Sequence, residues 1–239
     1  MYTAPEGVRV EGHQVISDGS GGAIVVWQQW PKGKIESGMP EALLSDIYAQ
    51  RVDADGNILW QQSGVPLGIT KEGSFYPPSP LAVSDGSGGA IIIWKDLRQG
   101  MMSIYVQRIN AEGNIRWREG GKQVCYLKSL SSFACRTVVS DGSGGAIVAL
   151  RYKEAETNER GLLVQRIDSA GRITWPDNGV LVFLDGDCFG HVLSDDGRGG
   201  AIVAWGTGKS IWKPKKSHVQ RINAEGNCLW GDKGILLNP

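Results

Sequence analysis

The segment SDGSGGAIVVW, residues 17–27, decides the fold because the chain contains four similar copies of it. It returns as SDGSGGAIIIW at 84–94, as SDGSGGAIVAL at 140–150 and as SDDGRGGAIVAW at 194–205. A second block alternates with it and ends each time in a tryptophan, at Trp60, Trp117, Trp175 and Trp230. The spacing of these tryptophans predicts four structural repeats of about 56 residues, a period typical of solenoids, propellers and arrays.

Each repeat has the pattern of four short strands. β-Branched and aromatic residues fill the runs between clusters of Gly, Asp and Asn, as in strands bounded by tight turns. Strand one ends at the SDG turn, strand two is the AIVVW run, strand three is the YAQRV run, and strand four is the NILW run with its continuation. No long segment has the helical period. The sequence therefore predicts an all-β protein of antiparallel strands.

Strand two indicates how the repeats pack. Its residues are apolar at every position, which is typical of a strand covered on both faces. Four small sheets of this kind pack well face to face around an axis, so we predict a four-bladed β-propeller. It is predicted as a single domain over residues 1–239, with repeat units of approximately 7–63, 64–120, 121–177 and 178–237. A pair of stacked sandwiches is the alternative.

The connections are of two kinds. The turns SDGSGG and DADGN are short, and Gly21 and Gly88 are expected to hold strained turn geometry. The other connections differ among repeats and are predicted at 28–46, 95–103, 151–161 and 206–217 within repeats, and at 68–79, 127–134 and 184–190 between them. Because strands alternate in direction, the long connections share one edge of the fold, the long-loop face.

The long-loop face is where we expect ligand binding, since binding residues concentrate on variable loops held by a rigid frame. Aromatic side chains beside charged ones suit a carbohydrate or peptide surface. The alternative is that these side chains pack down and hold their own loops. The candidate ligand-binding residues are Trp30, Phe75, Tyr76, Arg98, Arg136, Tyr152, His191 and Trp212.

Composition excludes several classes of partner. Lys plus Arg (25) balance Asp plus Glu (25), so no basic footprint for nucleic acid is present. No apolar run approaches the roughly 20 residues that span a bilayer, and no signal peptide is seen at the start of the chain. We therefore expect no nucleic-acid partner and no membrane insertion.

Catalytic and metal motifs are also missing from the sequence. DADGN at 53–57 resembles the start of a calcium loop, but its counterparts lack the second Asp. SDGSGG lacks the lysine of a phosphate-binding loop, and no CxxC pair suggests zinc. We expect no catalytic residues, no metal and no cofactor. Cys125 and Cys135 flank one loop and either form a disulfide or remain thiols.

The pattern DGxGGAIVxW, then YxQRxxxxGxxxW, then GVxV, resembles repeats of secreted or surface β-propellers of bacteria. The second repeat carries the fullest form, whereas the third has Leu150 for Trp and Arg172 for Asn. The resemblance covers nearly the whole chain and implies an extracytoplasmic, non-catalytic module.

The predicted function is a non-catalytic binding or scaffold module that contacts a protein or glycan through the long-loop face. A glycan-processing enzyme of propeller fold and an architectural module cut from a larger surface-protein array are the alternatives. The GVxV element occurs five times for four repeats, so one copy is spare. We expect a closed monomer of four blades, and a dimer or larger ring is the alternative.

Overall fold

The computed structural model describes residues 10–29, 46–68, 80–96, 103–125, 130–154, 157–184, 188–208 and 214–238, without the side chains of 130–136, 154, 214 and 215. Across these ranges the chain is all β, with four antiparallel sheets of four strands and no helix. This confirms the predicted class and the count of strands per sheet. The chain divides into two compact units, Met1–Gln123 and Val124–Pro239.

Each sheet takes its strands in chain order, and each strand pairs with its sequence neighbours. The first sheet contains β1 (Val10–Ser17), β2 (Ala23–Gln29), β3 (Asp46–Val52) and β4 (Val65–Gly68), and the second contains β5 (Leu81–Ser84), β6 (Ala90–Asp96), β7 (Ser103–Ile109) and β8 (Lys122–Cys125). The third contains β9 (Leu130–Ser140), β10 (Ala146–Glu154), β11 (Arg160–Ile167) and β12 (Val180–Leu184), and the fourth contains β13 (Cys188–Asp195), β14 (Ala201–Gly208), β15 (Pro214–Ile222) and β16 (Ile235–Leu236).

The fourth strand of each sheet is the GVxV element, not the NILW run. In the first sheet β4 pairs with β3, whereas the NILW run contributes only the isolated bridge between Val52 and Ile58. The reason is a side chain, because Gln50 Oε1 accepts the Trp60 N–H (3.1 Å) and Gln50 Nε2 donates to the Gln61 carbonyl. The NILW run is therefore not part of the fourth strand, which lies in the continuation of that run, at Val65–Gly68.

Several strands of the second unit run further than the sequence predicts. β9 and β13 begin at Leu130 and Cys188, within connections predicted at 127–134 and 184–190. The β10–β11 hairpin pairs continuously out to Lys153 and Arg160, within the connection predicted at 151–161. The long connections of this unit are therefore shorter than expected.

In the first unit, one face of the first sheet packs against one face of the second. We call the face of a sheet that packs on the next sheet along the chain its forward face. The face that packs on the preceding sheet is its backward face, and equivalent faces of the other sheets take the same names. The buried residues of the forward face include Ile24, Val26, Trp60, Val65 and Leu67, and those of the backward face include Ala90, Ile92 and Trp94. The contact is close, since a Cβ on Gly68 would lie 2.6 Å from Trp94 Cζ2.

The second unit repeats this packing between its two sheets. The forward face of the third sheet carries Ile147, Ala149, Trp175, Val180 and Val182, and the backward face of the fourth carries Ala201, Val203 and Trp205. The Phe183 and Trp205 rings lie 6.1 Å apart at their centroids. Removing these surfaces from water stabilises each unit, by about 25 cal/mol per Å² of apolar area.

The second strands are not equally covered. β6 is buried at every position from Ala90 to Trp94, and β10 from Ala146 to Leu150, as expected for strands covered on both faces. In contrast, β2 and β14 alternate between buried and half-buried positions. The expectation that all four strands are covered on both faces is therefore wrong for the first and fourth sheets.

An aromatic ring on strand three stacks on the strand-two tryptophan in three sheets. Trp27 stacks on Tyr48 (5.9 Å between centroids), Trp94 on Tyr105 (6.3 Å) and Trp205 on His218 (5.4 Å). The fourth sheet thus places an imidazole where the first two sheets have the phenol ring of tyrosine. Burial, followed by the charge of Lys216, lowers the pKa of His218 below its usual 6.5.

We expect His218→Tyr to reduce the loss of stability between pH 7.5 and pH 5.5. Because the folded pKa of His218 is depressed, the unfolded chain binds more protons as pH falls through about 6.5, and the wild type is destabilised. Tyrosine is neutral over this range and fits the same stack. Thermal unfolding followed by circular dichroism at the two pH values measures the change in Tm. An equal drop in Tm for both proteins would contradict a role for His218.

Candidate functional site

The acidic turn that opens the repeat is bound entirely within its own sheet. Asp18 Oδ1 accepts the N–H groups of Ser20 (2.8 Å) and Gly22 (2.9 Å), and Oδ2 accepts Nε and Nη2 of Arg51 (3.0 and 2.8 Å). The Asp18 side chain is 1% exposed. The N–H of Ser20, followed by the Arg51 guanidinium, holds the pKa of Asp18 below its usual value. Both carboxylate oxygens of Asp18 are therefore hydrogen-bonded to groups of the same sheet and its turn.

The same ion pair occurs in every repeat. The other pairs are Asp85–Arg108 (2.8 Å), Asp141–Arg166 (2.9 Å) and Asp196–Arg221 (2.8 Å). Sequence analysis missed this pairing. The signal was available, since one Asp in the first block and one Arg in the second recur in all four repeats.

The fourth repeat has two adjacent aspartates, and the structure separates their roles. Asp196 binds Arg221 and accepts the N–H of Gly200. Asp195 Oδ1 accepts the N–H of Gly197, as Ser17 Oγ accepts the N–H of Gly19 in the first repeat. Burial raises the pKa of Asp196, but the Arg221 guanidinium and the turn N–H groups outweigh burial, so this pKa lies below its usual value.

The arginine of this ion pair also contacts the neighbouring sheet. There it shares a hydrogen-bond acceptor with the tryptophan of its own repeat. In the first unit Arg51 Nη1 (3.1 Å) and Trp60 Nε1 (2.9 Å) both donate to the Ala111 carbonyl, and the indole lies over Gly113. We call this arrangement the Arg–Trp clamp.

The second unit has the same clamp. Arg166 Nη1 (3.3 Å) and Trp175 Nε1 (2.9 Å) donate to the Ala224 carbonyl, and the indole lies over Gly226. The repeated polar residues therefore join sheets within each unit.

The DADGN turn is similarly self-contained. Asp53 Oδ1 accepts the N–H groups of Asp55 (3.0 Å) and Asn57 (2.8 Å), and Asp53 Oδ2 accepts Asn57 Nδ2 (2.9 Å). Among the described residues, no group of three or more His, Cys, Asp or Glu side chains is arranged to hold a metal ion. No helix in the described ranges is long and apolar enough to span a membrane.

The structure describes few of the predicted ligand-binding residues. Trp30, Phe75, Tyr76, Arg98 and Trp212 lie outside the described residues. Arg136 lies in β9 at an irregularity in its pairing with β10, and its side chain is not described. Tyr152 and His191 are described, and both are buried, at 8% and 4% exposure. The ligand role of all eight residues stays a prediction.

Tyr152 holds the β10–β11 hairpin. Its hydroxyl donates to Glu159 Oε1 (3.2 Å), and its ring leaves no room for a side chain at Gly161, where a Cβ would lie 2.6 Å from Tyr152 Cε1. His191 lies in β13, at the irregularity between Phe189 and Val192. These positions fit the alternative that the side chains pack against their own elements.

A buried thiol lies at the same edge of the second unit. Arg151 Nη1 donates to the Cys188 carbonyl (3.2 Å), and the Cys188 residue is 1% exposed. Burial raises the pKa of Cys188 to about 12, and the nearby Arg151 charge offsets only part of this. A thiol with this pKa is not a nucleophile at neutral pH. Cys125 is buried, and the Cys135 side chain is not described, so the two alternatives for this pair, a disulfide or two thiols, both stay predictions.

Buried polar residues also lie at the loop edge of the first unit. Asp96 pairs with Ser103 across β6 and β7, and the two residues are 1% and 3% exposed. Gln123 Nε2 donates to Ser103 Oγ (2.8 Å). The equivalent pair at the edge of the first sheet has different residues, since Gln29 pairs with Asp46 there. The loop edge therefore varies between sheets in the residues that support the connections.

Comparison with known proteins gives no family. No family model and no curated protein matches the chain. A solved structure, a protein of unknown function from Bacteroides caccae, is similar at 11% identity, with a TM-score of 0.37. The match covers 80% of this chain and 54% of that one, so the chain spans about half the length of that protein.

Proposed function

We propose that the four sheets are blades of a β-propeller, four to the chain, and that the chain is a non-catalytic module. In this proposal it binds a protein or glycan, or acts as a scaffold, through the long-loop face. The observation that carries the proposal is the engagement of the repeated Asp and Arg side chains within the sheets. The repeated motif is thereby a frame, and recognition falls to the parts that differ among repeats.

The neighbouring first strands support the propeller arrangement. In the first unit the Ala82 N–H of β5 donates to Gln14 Oε1 of β1 (2.6 Å), which holds the first strands of two sheets side by side. In a propeller the first strands line the central axis, and the sheets pack face to face, as the forward and backward faces do within each unit. The extracytoplasmic location is part of the same proposal and rests on the repeat resemblance.

The test compares ligand capture by the wild type with capture by the double variant Trp30→Ala/Trp212→Ala. Trp30 and Trp212 are the two tryptophans on the predicted long connections, so we expect at least about a tenfold loss of binding to any glycan or peptide that the wild type retains. An array of defined glycans and peptides provides the probes, and surface plasmon resonance measures the affinity.

The matched control is Ser20→Ala/Ser87→Ala, which changes two hydroxyls at the short-turn edge and keeps both turns, since the turns use the N–H groups of these serines. The control should bind as the wild type does. Wild-type affinity in the tryptophan variant, or equal losses in both variants, would contradict binding by the long-loop face.

A further inference from the structure

The forward face of the fourth sheet lacks the cover that its counterparts have. Ile235 and Leu237 are 46% and 59% exposed, whereas the equivalent Val65 and Leu67 of the first sheet are 4% and 1% exposed. Trp230 is half-buried, although Trp60 and Trp175 at the same position are buried. In the first and third sheets this cover is the backward face of the next sheet along the chain. The fourth sheet therefore presents an apolar face of the type that such a backward face covers.

A backward face with incomplete cover exists on the first sheet. Ala23, Val25 and Trp27 are half-buried. Their equivalents in the second and fourth sheets are buried against a forward face, with Trp94 and Trp205 only 1% and 3% exposed. The first sheet thus offers the kind of surface that the fourth sheet lacks.

The first and fourth sheets also carry complementary parts of the Arg–Trp clamp, an acceptor turn on the first sheet and the donor side chains on the fourth. Gly113 and Gly226 each lie under a tryptophan, whereas a Cβ on Gly56 would meet no heavy atom of the described residues within 4 Å. Gly88 and Gly199 each have an arginine guanidinium within 4 Å, but Gly21 meets only Ala54. The turn at Ala54–Gly56 is therefore the acceptor half of a clamp. Arg221 and Trp230 are the donor half.

We propose that a second copy of this chain binds between these surfaces, with the forward face of the fourth sheet of one copy on the backward face of the first sheet of the other. In this interface Trp230 Nε1 and Arg221 Nη1 donate to the Ala54 carbonyl, and the Trp230 indole covers Gly56. Trp27 packs against the end of β16. The donors and acceptors are those that already join sheets in both units.

The number of copies follows from the surfaces. Among the described residues, the fourth sheet has an uncovered forward face and the first sheet an uncovered backward face, so two copies joined head to tail cover all four of these faces. This step rests on the proposed propeller, since two chains contribute eight sheets and propellers typically have four to eight blades. Three or more chains exceed that range.

The experiment measures mass in solution by size-exclusion chromatography with light scattering, over a range of protein concentrations. We expect the wild type to have twice the 25.8 kDa chain mass. Trp230→Ala removes the donor and Ala54→Arg obstructs the acceptor. Each variant should raise the dimer dissociation constant by about 30-fold or more, the effect of losing a central aromatic contact. Circular dichroism checks that both variants remain folded.

Trp60→Ala is the matched control, because it removes the equivalent indole from a clamp inside the first unit. It should lower Tm and leave the dimer mass unchanged. A wild type that is monomeric at every concentration would overturn the proposal, as would a dimer whose dissociation constant neither end variant changes. Both outcomes leave the loop-face function intact, because ligand capture is measured separately.

Discussion

Asp196→Ala is expected to lower the free energy of unfolding by about 3 kcal/mol, the lower end of the cost of breaking a buried ion pair. The Asp196 side chain is 1% exposed, and its loss leaves Arg221 without its carboxylate and the N–H groups of Arg198 and Gly200 without their acceptor. The expected loss lies at the lower end because the Arg221 side chain is 26% exposed, so water hydrates its guanidinium once the carboxylate is removed.

Asp195→Ala is the matched control, since it changes the same residue type one position earlier. Asp195 is exposed and accepts a single N–H, from Gly197 at 3.1 Å, so we expect a loss of about 0.5 kcal/mol. Urea unfolding followed by tryptophan fluorescence measures both variants. Equal losses would show that the buried pair adds nothing beyond the turn, and a larger loss for Asp195→Ala would reverse the assignment of the two residues.

Gly145→Ala is expected to cost about 3 kcal/mol or more, at the upper end of the range for overpacking a core. A Cβ at this position would lie 2.3 Å from the Ile167 carbonyl oxygen and 2.6 Å from Asp141 Oδ2. The first atom belongs to the backbone of the paired strand, and the second belongs to the carboxylate that binds Arg166. Neither atom is able to move without breaking the ladder or the ion pair.

Gly142→Ala in the same turn separates this steric effect from backbone strain. Gly142 has φ of 75°, and a Cβ there would meet no heavy atom of the described residues within 4 Å. Its cost is therefore the left-handed conformation alone, about 1–2 kcal/mol for a residue other than glycine. Differential scanning calorimetry of the two variants gives the comparison. A Gly142→Ala variant that unfolds at or below the Tm of Gly145→Ala would contradict the steric argument.

Local signals in the sequence were sufficient for the strands and turns. Gly21 and Gly88 have φ of 87° and 79°, which confirms the expected turn geometry. The predicted first strands, such as Gln14–Ile16 and Leu81–Val83, lie within β1 and β5. These features follow from residues next to one another in the chain, so pattern and turn chemistry predict them.

The fourth strand was misassigned because a side chain replaces part of the ladder. The NILW run has the composition of a strand, but Gln50 holds the N–H of Trp60 that a partner strand would otherwise hold. Composition indicates how well the residues of a segment fit a pleated surface. It does not indicate whether a buried glutamine side chain already binds the backbone N–H and C=O groups of that segment.

The sequence by itself determined the all-β class, the four repeats and the turns, because each depends on residues close together in the chain. Only the tertiary structure decided that Asp18 of the opening segment binds Arg51, that Arg51 reaches Ala111, and that the first and fourth sheets keep half-exposed faces. These contacts join residues 33 and 60 positions apart. A repeat has the same sequence signal whether or not another surface covers its sheet, so the burial of each face is decided only by tertiary contacts.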